Sequence, residues 1–278
     1  METIMSNWEE ITLLAVAMLA TGLLSGTLAG LLGIGGGIVV VPALYEVFTL
    51  LEVPSDIRMH VAIGTSLAAI IPTSIASTKA HFRRGEVDLD LIKSWAPALL
   101  VGAVGGIAFT ALVHGLILSA IFAAMTFLIG LQMARGGKKK ALFTSPPKGV
   151  AGQIPPFGVG ALSTMMGLGG GTLGVPLLRA FNFPTSKAVG TAAAFGLIIC
   201  IPGTIGMVVS GWDVANLPLG NFGYVNFIGF ALIVPTAIFT APTGASLGDR
   251  LGPEGVRRAF ACFLFIVSAR MIYTVLFD

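Results

Sequence analysis

The features most suggestive of chemistry are two glycine-rich stretches, Gly33-Ile-Gly-Gly-Gly37 and Gly167-Leu-Gly-Gly-Gly171. Each is followed five residues later by a proline, Pro42 and Pro176. Successive glycines let the backbone turn several N–H groups toward one point. A short helix starting there adds the positive end of its dipole. The expected chemistry is capture of an anion between Gly35, Gly36 and Gly37 on one side and Gly169, Gly170 and Gly171 on the other. The same spacing also reads as a GxxxG motif, which brings helices close and binds nothing. Neither stretch is a nucleotide loop, because no Lys follows the glycines and no βαβ unit surrounds them.

Polar residues inside apolar runs are the next candidates. Thr65, Ser66 and Thr191 each follow a glycine within such a run, where a hydroxyl can donate to a ligand oxygen or bond back to its own helix. Arg270 sits in an otherwise apolar stretch, and Gln132 occupies the equivalent place in the first half of the chain. An ionisable group at that depth is costly unless it is paired, wet or functional. Arg270 therefore reads equally as an anion ligand and as a side chain snorkelling to the interface. Glu46 reads as a proton carrier or an interfacial carboxylate, and His60, His81 and His114 fall near segment ends, where solvated or interfacial roles are expected. No His, Asp or Glu has metal-ligand spacing, so no metal and no cofactor are expected. Cys200 and Cys262 lie in apolar runs without CxxC spacing and read as packing residues.

The elements that must position these residues are membrane helices. Of the 278 residues 55% are hydrophobic and 10% charged, too few charges to cover a soluble domain of that length. Apolar windows fall at about 11–32, 38–51, 60–80, 92–112, 116–134, 153–167, 172–183, 187–209, 223–247 and 257–277. Several are shorter than a straight crossing requires. The expected fold is all-α and polytopic, with about 8–10 transmembrane segments in two inverted repeats that contain short broken or re-entrant helices. The repeats are residues 1–134 and 153–278, joined by a basic cytoplasmic linker over 135–152. Three matches in the same order support the repeat: the glycine stretches, Gly64-Thr65 with Gly190-Thr191, and Gly102-Ala103 with Gly244-Ala245. With the linker inside, all but Arg58 and Arg270 of the 16 Lys and Arg fall on or beside the cytoplasmic face.

With these motifs in their order, the chain resembles the sulfite exporter TauE/SafE family, also called the TSUP family. The likeness rests on Gly30-Leu-Leu-Gly-Ile-Gly-Gly-Gly37, Val41-Pro42, Gly64-Thr65-Ser66 and His81-Phe-Arg-Arg-Gly-Glu-Val-Asp88. The second half adds Gly167-Leu-Gly-Gly-Gly171, Val175-Pro176, Gly190-Thr191 and Gly223-Tyr-Val-Asn226, but carries Ala192 where the first half has Ser66. The resemblance implies a multi-pass transporter of the bacterial inner membrane, not an enzyme. It implies secondary transport of small sulfur-containing anions, sulfite or organosulfonates such as sulfoacetate, by proton-coupled export. A passive anion channel and an uptake permease for another small anion are the alternatives. The expected partners are the anion, protons as coupling ion and membrane lipid, with a homodimer open as an assembly and no nucleic acid.

Overall fold

The computed structural model describes residues 2–32, 36–135, 147 and 149–277. Gly35 lies outside them, as do residues 136–146 and 148 of the 135–152 linker. In lipid every backbone polar group must find an internal partner, and long apolar runs meet that demand as helices. The order is α1 (Glu2–Leu32), α2 (Gly37–Leu50), α3 (Ser55–Arg83), α4 (Leu89–Leu112) and α5 (Gly115–Ala134), followed by α6 (Ile154–Met165), α7 (Gly170–Ala180) and α8 (Thr185–Ser210). A two-residue hairpin, β1 (Asn221–Phe222) with β2 (Val225–Asn226), leads into α9 (Phe227–Phe277), which breaks at Gly252 where φ is 66°.

Among the described residues six helices are long and apolar enough to cross a membrane: α3, α4, α5, α8 and the two arms of α9, Phe227–Gly244 and Glu254–Phe277. Ala15–Gly30 within α1 and the whole of α2 are shorter apolar stretches. The 11 residues of α7 span only about 16 Å, half of a hydrocarbon core. The protein is a multi-pass, all-α membrane protein with short broken elements beside full crossings. Large apolar side chains such as Leu100, Val101, Val104, Ile205 and Ile266 point outward, as a chain solvated by lipid requires.

The local turns repeat. α2 ends with Glu52 at φ 54°, while the Val53 amide donates to the Phe48 carbonyl and the Glu52 amide to that of Thr49. α7 ends in the same way, with Asn182 at φ 67° and bonds from Phe183 to Leu178 and from Asn182 to Arg179. This left-handed cap satisfies carbonyls that the helix leaves unbonded. Pro54 and Pro184 then cap the starts of α3 and α8. Arg58 lies in the first turn of α3, where it is buried: Nε and a terminal guanidinium nitrogen donate to the Val53 carbonyl, and the guanidinium stands over the Tyr45 ring.

Two helix pairs pack through glycines. α1 packs on the first arm of α9, where any side chain at Gly22, Gly26 or Gly30 would overlap the backbone of Ile233, Ala237 or Ala241. α6 packs on α4 in the same manner, with Gly102 and Gly106 against the carbonyls of Phe157 and Ala161 and Gly160 against that of Leu99. Such close backbone approach is how helices associate where lipid removes the hydrophobic drive. α3 packs on α8, and α5 on α9. Every residue of α3 from Ile57 to Ile70 is buried, so it forms the central post of the molecule.

Candidate functional site

Beside that post lies a cavity of about 590 Å³. Its walls come from α1 (Ser25, Gly26, Ala29, Gly30), the lower half of α3 (Ile70, Thr73, Ser74, Ser77, His81), α8 (Val189, Ala193) and the first arm of α9 (Ile233 to Pro242). Gly36, at the head of α2, and Gly169 and Gly171, at the head of α7, line it as well. Both glycine stretches therefore reach one space.

Each break has a local cause. Gly36 is the N-cap of α2 at φ −81° and accepts from the amides of Val39 and Val40 at 2.9 and 3.0 Å. α6 ends at Gly167, whose φ of +65° an L-residue with a β-carbon rarely adopts. The Leu168 amide donates to the Ser163 carbonyl at 2.7 Å, and Ser66 on α3 donates to the Gly167 carbonyl at 2.8 Å. Gly169 then starts α7 in an extended conformation. A β-carbon at Gly37 would lie 3.0 Å from the Gly167 carbonyl oxygen and 2.7 Å from Ile70, so the two breaks meet against α3. The first amides of α2 and α7 have no carbonyl four residues back within their own helices, and both helices present their positive ends there.

The structure sorts the sequence candidates. Gly36, Gly169 and Gly171 border the cavity. Gly37 packs against the opposing break, and Gly170 packs α7 on α8, where a side chain would meet the Gly196 nitrogen and the Ala192 carbonyl. Positive φ, expected along both stretches, occurs at Gly167, whereas Gly36 and Gly169 have negative φ. Gly35 lies outside the described residues.

Thr65, Ser66 and Thr191 are fully buried away from the cavity walls. Thr65 Oγ1 accepts from the Asn226 amide at 2.9 Å, and Thr191 Oγ1 accepts from the Asp88 amide at 3.0 Å. Asp88 and Asn226 each cap the helix that follows them, accepting from the Leu91 and Gly229 amides. Each Gly-Thr pair thus anchors a capping turn of the other half. Arg270 also lies away from the cavity walls: Nε stands 2.9 Å from one Glu46 carboxylate oxygen and a terminal nitrogen 3.0 Å from the other. The pair ties α9 to α2, with Thr274 and the Tyr273 ring beside it. Gln132 is exposed on the last turn of α5.

Ser25, Thr73, Ser74 and Ser77 are lining residues that are not among the sequence candidates, and His81, expected in a solvated or interfacial role, lines the cavity with them. A signal was present. Ser74, Ser77 and His81 are spaced three and four apart, which puts them on one face of a helix that is apolar above them. That signal needs the helix to be continuous through Pro72, as it is.

Comparison with known proteins agrees with this architecture. The family model described as sulfite exporter TauE/SafE matches residues 18–271. A probable membrane transporter protein of Haemophilus influenzae is 32% identical over 253 residues, covering 91% of this chain and 96% of the relative. The probable membrane transporter protein YunE of Bacillus subtilis is 27% identical over 286 residues, covering 95% and 99%. A probable membrane transporter protein of Methanocaldococcus jannaschii is 24% identical over 276 residues, covering 95% and 97%. No solved structure matches the chain.

Proposed function

The chain belongs to the sulfite exporter TauE/SafE family, and on that premise we propose that it is a secondary transporter of small sulfur-containing anions. Sulfite and organosulfonates such as sulfoacetate are the substrate class, export is the direction, protons are the coupling ion and the bacterial inner membrane is the location. One observation carries this reading: Gly36 and the pair Gly169 and Gly171, from two separate broken elements, border a single cavity. Two helix N-termini offer unbonded amides and converging positive dipole ends to a compact oxyanion. Hydroxyls of Ser74 and Ser77 add polar contacts along a largely apolar wall, whereas Thr73 donates its hydroxyl to the Ile70 carbonyl at 2.8 Å. An anion stripped of water needs such a set of fixed dipoles in place of its hydration shell.

The test is flux in proteoliposomes. Sulfite and sulfoacetate should move against their own gradients when a pH gradient is imposed. Gly36→Val, which adds bulk at the cavity wall where the nearest neighbour, the Ser25 carbonyl oxygen, is 3.3 Å from a β-carbon, should slow that flux at least about tenfold, equivalent to a loss of about 1.4 kcal/mol. Flux that only follows the electrochemical gradient would assign a passive channel instead. Movement of unrelated anions with no preference for sulfur oxyanions would overturn the substrate class.

A further inference from the structure

Of the residues described around the cavity, His81 is the only titratable one. Its position is fixed by more than the helix that carries it. α3 closes in a left-handed cap: the Gly85 amide donates to the Phe82 carbonyl, the Glu86 amide donates to the His81 carbonyl at 3.0 Å, and Gly85 has a φ of 69°. That turn folds Glu86 back over the imidazole, where Oε2 lies 2.6 Å from Nδ1. From the other side α8 clamps the pair, since a side chain at Gly190 would overlap the Glu86 carbonyl and the His81 β-carbon. Three constraints therefore hold one imidazole at the wall of the proposed anion cavity.

We propose that His81, held by Glu86, is the proton-binding residue of this cavity, so that one proton and the anion bind together. The inference rests on the anion-transporter reading above. Glu86 accepts the Nδ1–H, which leaves Nε2 with the lone pair that takes up the proton. Proton uptake turns neutral imidazole into imidazolium, and the proton leaves from Nε2 when the cavity opens to the other side. The pair changes from a net charge of −1 to 0, which removes a repulsion from the anion. By linkage, the anion must favour proton uptake by the same factor as the proton favours anion binding. Anion affinity is therefore higher with the proton bound and falls as pH rises.

The charged surroundings are few. His81's own helix and turn carry Lys79, Arg83, Arg84, Glu86 and Asp88, and α8 carries Lys187 one turn before Gly190. The cavity residues from α1, α2, α7 and α9 are uncharged. No fixed cation among the described lining residues would neutralise the anion at every pH.

Calorimetry on the detergent-solubilised full chain tests this with two probes. Sulfoacetate, which stays fully ionised throughout, reports the pH dependence and proton count. Sulfite, which itself exchanges a proton near neutral pH, reports only whether the site binds a sulfur oxyanion. Titrations run from pH about 5.5 to about 8.5, in two buffers of different ionisation enthalpy. Wild type should bind more weakly as pH rises, by up to about tenfold per pH unit, and should take up as much as one proton per anion. His81→Gln should bind with pH-independent affinity and no proton uptake. Glu86→Gln retains the Nδ1 partner but removes its charge, so it should keep the proton uptake and bind the anion more tightly than wild type at the acidic end. Wild-type affinity that is flat with pH, or undiminished proton uptake in His81→Gln, would overturn His81 while leaving the anion site standing. If His81→Gln does not fold, the wild-type proton count and Glu86→Gln decide the question. Absence of binding of either probe by wild type at every pH would sink the anion reading itself, and this inference with it.

Discussion

Arg270, an expected anion ligand, lies away from the cavity walls in the structure. A guanidinium in an apolar helix needs a counter-charge, and the carboxylate nearest to it in the sequence is Asp278, outside the described residues. The partner is Glu46, which lies far away in the chain on α2. Side-chain exposures of 41% and 38% put the pair at the edge of the packed interior, where an ion pair contributes little beyond about 1 kcal/mol. Arg270→Ala should therefore lower thermal stability modestly, and the double variant with Glu46→Gln should lose less than the two single losses added. Sulfoacetate affinity should stay within about twofold of wild type, a change of about 0.4 kcal/mol. Thermal unfolding and equilibrium binding in the same detergent check both, and a collapse of affinity would return Arg270 to the binding site.

At the scale of elements, the Gly-Thr pairs join the two halves. Gly64 lies against the Tyr224 carbonyl and Gly190 against that of Glu86, so each helix of the α3–α8 pair touches the turn that starts a helix of the other half. The threonine hydroxyl then accepts the amide of the capping residue, Asn226 or Asp88. Replacing Thr65 by Val keeps the shape but orphans a buried amide, at a cost of about 1–3 kcal/mol. Thr191→Val should cost less, because the Asp88 bond is only part-buried whereas Asn226 is fully buried. Thr65→Ser should restore most of the loss. Thermal melts of the three variants read this directly, and equal, negligible shifts for both Val variants would mean that the hydroxyls do not anchor the turns. The repeat of Gly-Thr was legible in the sequence, but its role was not. A hydroxyl that bonds across more than a hundred residues leaves no local spacing to read.

At the scale of the whole molecule, the contacts trace the sides of the membrane. Gly115 lies against Ser55 and Asp56, which puts the start of α5 beside the start of α3. Gly190 lies against Glu86, which puts the start of α8 beside the end of α3. α5 therefore returns toward the end of α3 and delivers the linker to the side where α8 begins. α8 then carries the chain across, so the loop at 211–222 should face the opposite side from the 135–152 linker. That is the outcome expected of halves inverted about an axis in the membrane plane. Single cysteines introduced at Arg135 and at Asp213, in a background with both native cysteines replaced, should react with an impermeant maleimide from opposite faces. Labelling of both from one face would exclude the inversion.

Composition, the lengths of the apolar runs and two glycine stretches sufficed to determine the membrane class, the helical elements and the family resemblance. They could do so because lipid imposes one rule on every residue of a crossing segment, and that rule is visible locally. The same stretches also marked where two helices break, since glycine and proline act on the backbone they occupy. What the breaks enclose was decided by the tertiary structure alone. Gly36 and Gly169 border one cavity because α3 stands between their halves, and Thr65 and Thr191 serve as anchors because α8 and α3 cross. His81 reaches the cavity because a left-handed turn and Gly190 hold it there. Those placements depend on pairs of residues distant in the chain, and a helical period specifies only which face a side chain occupies, not what comes to lie against it.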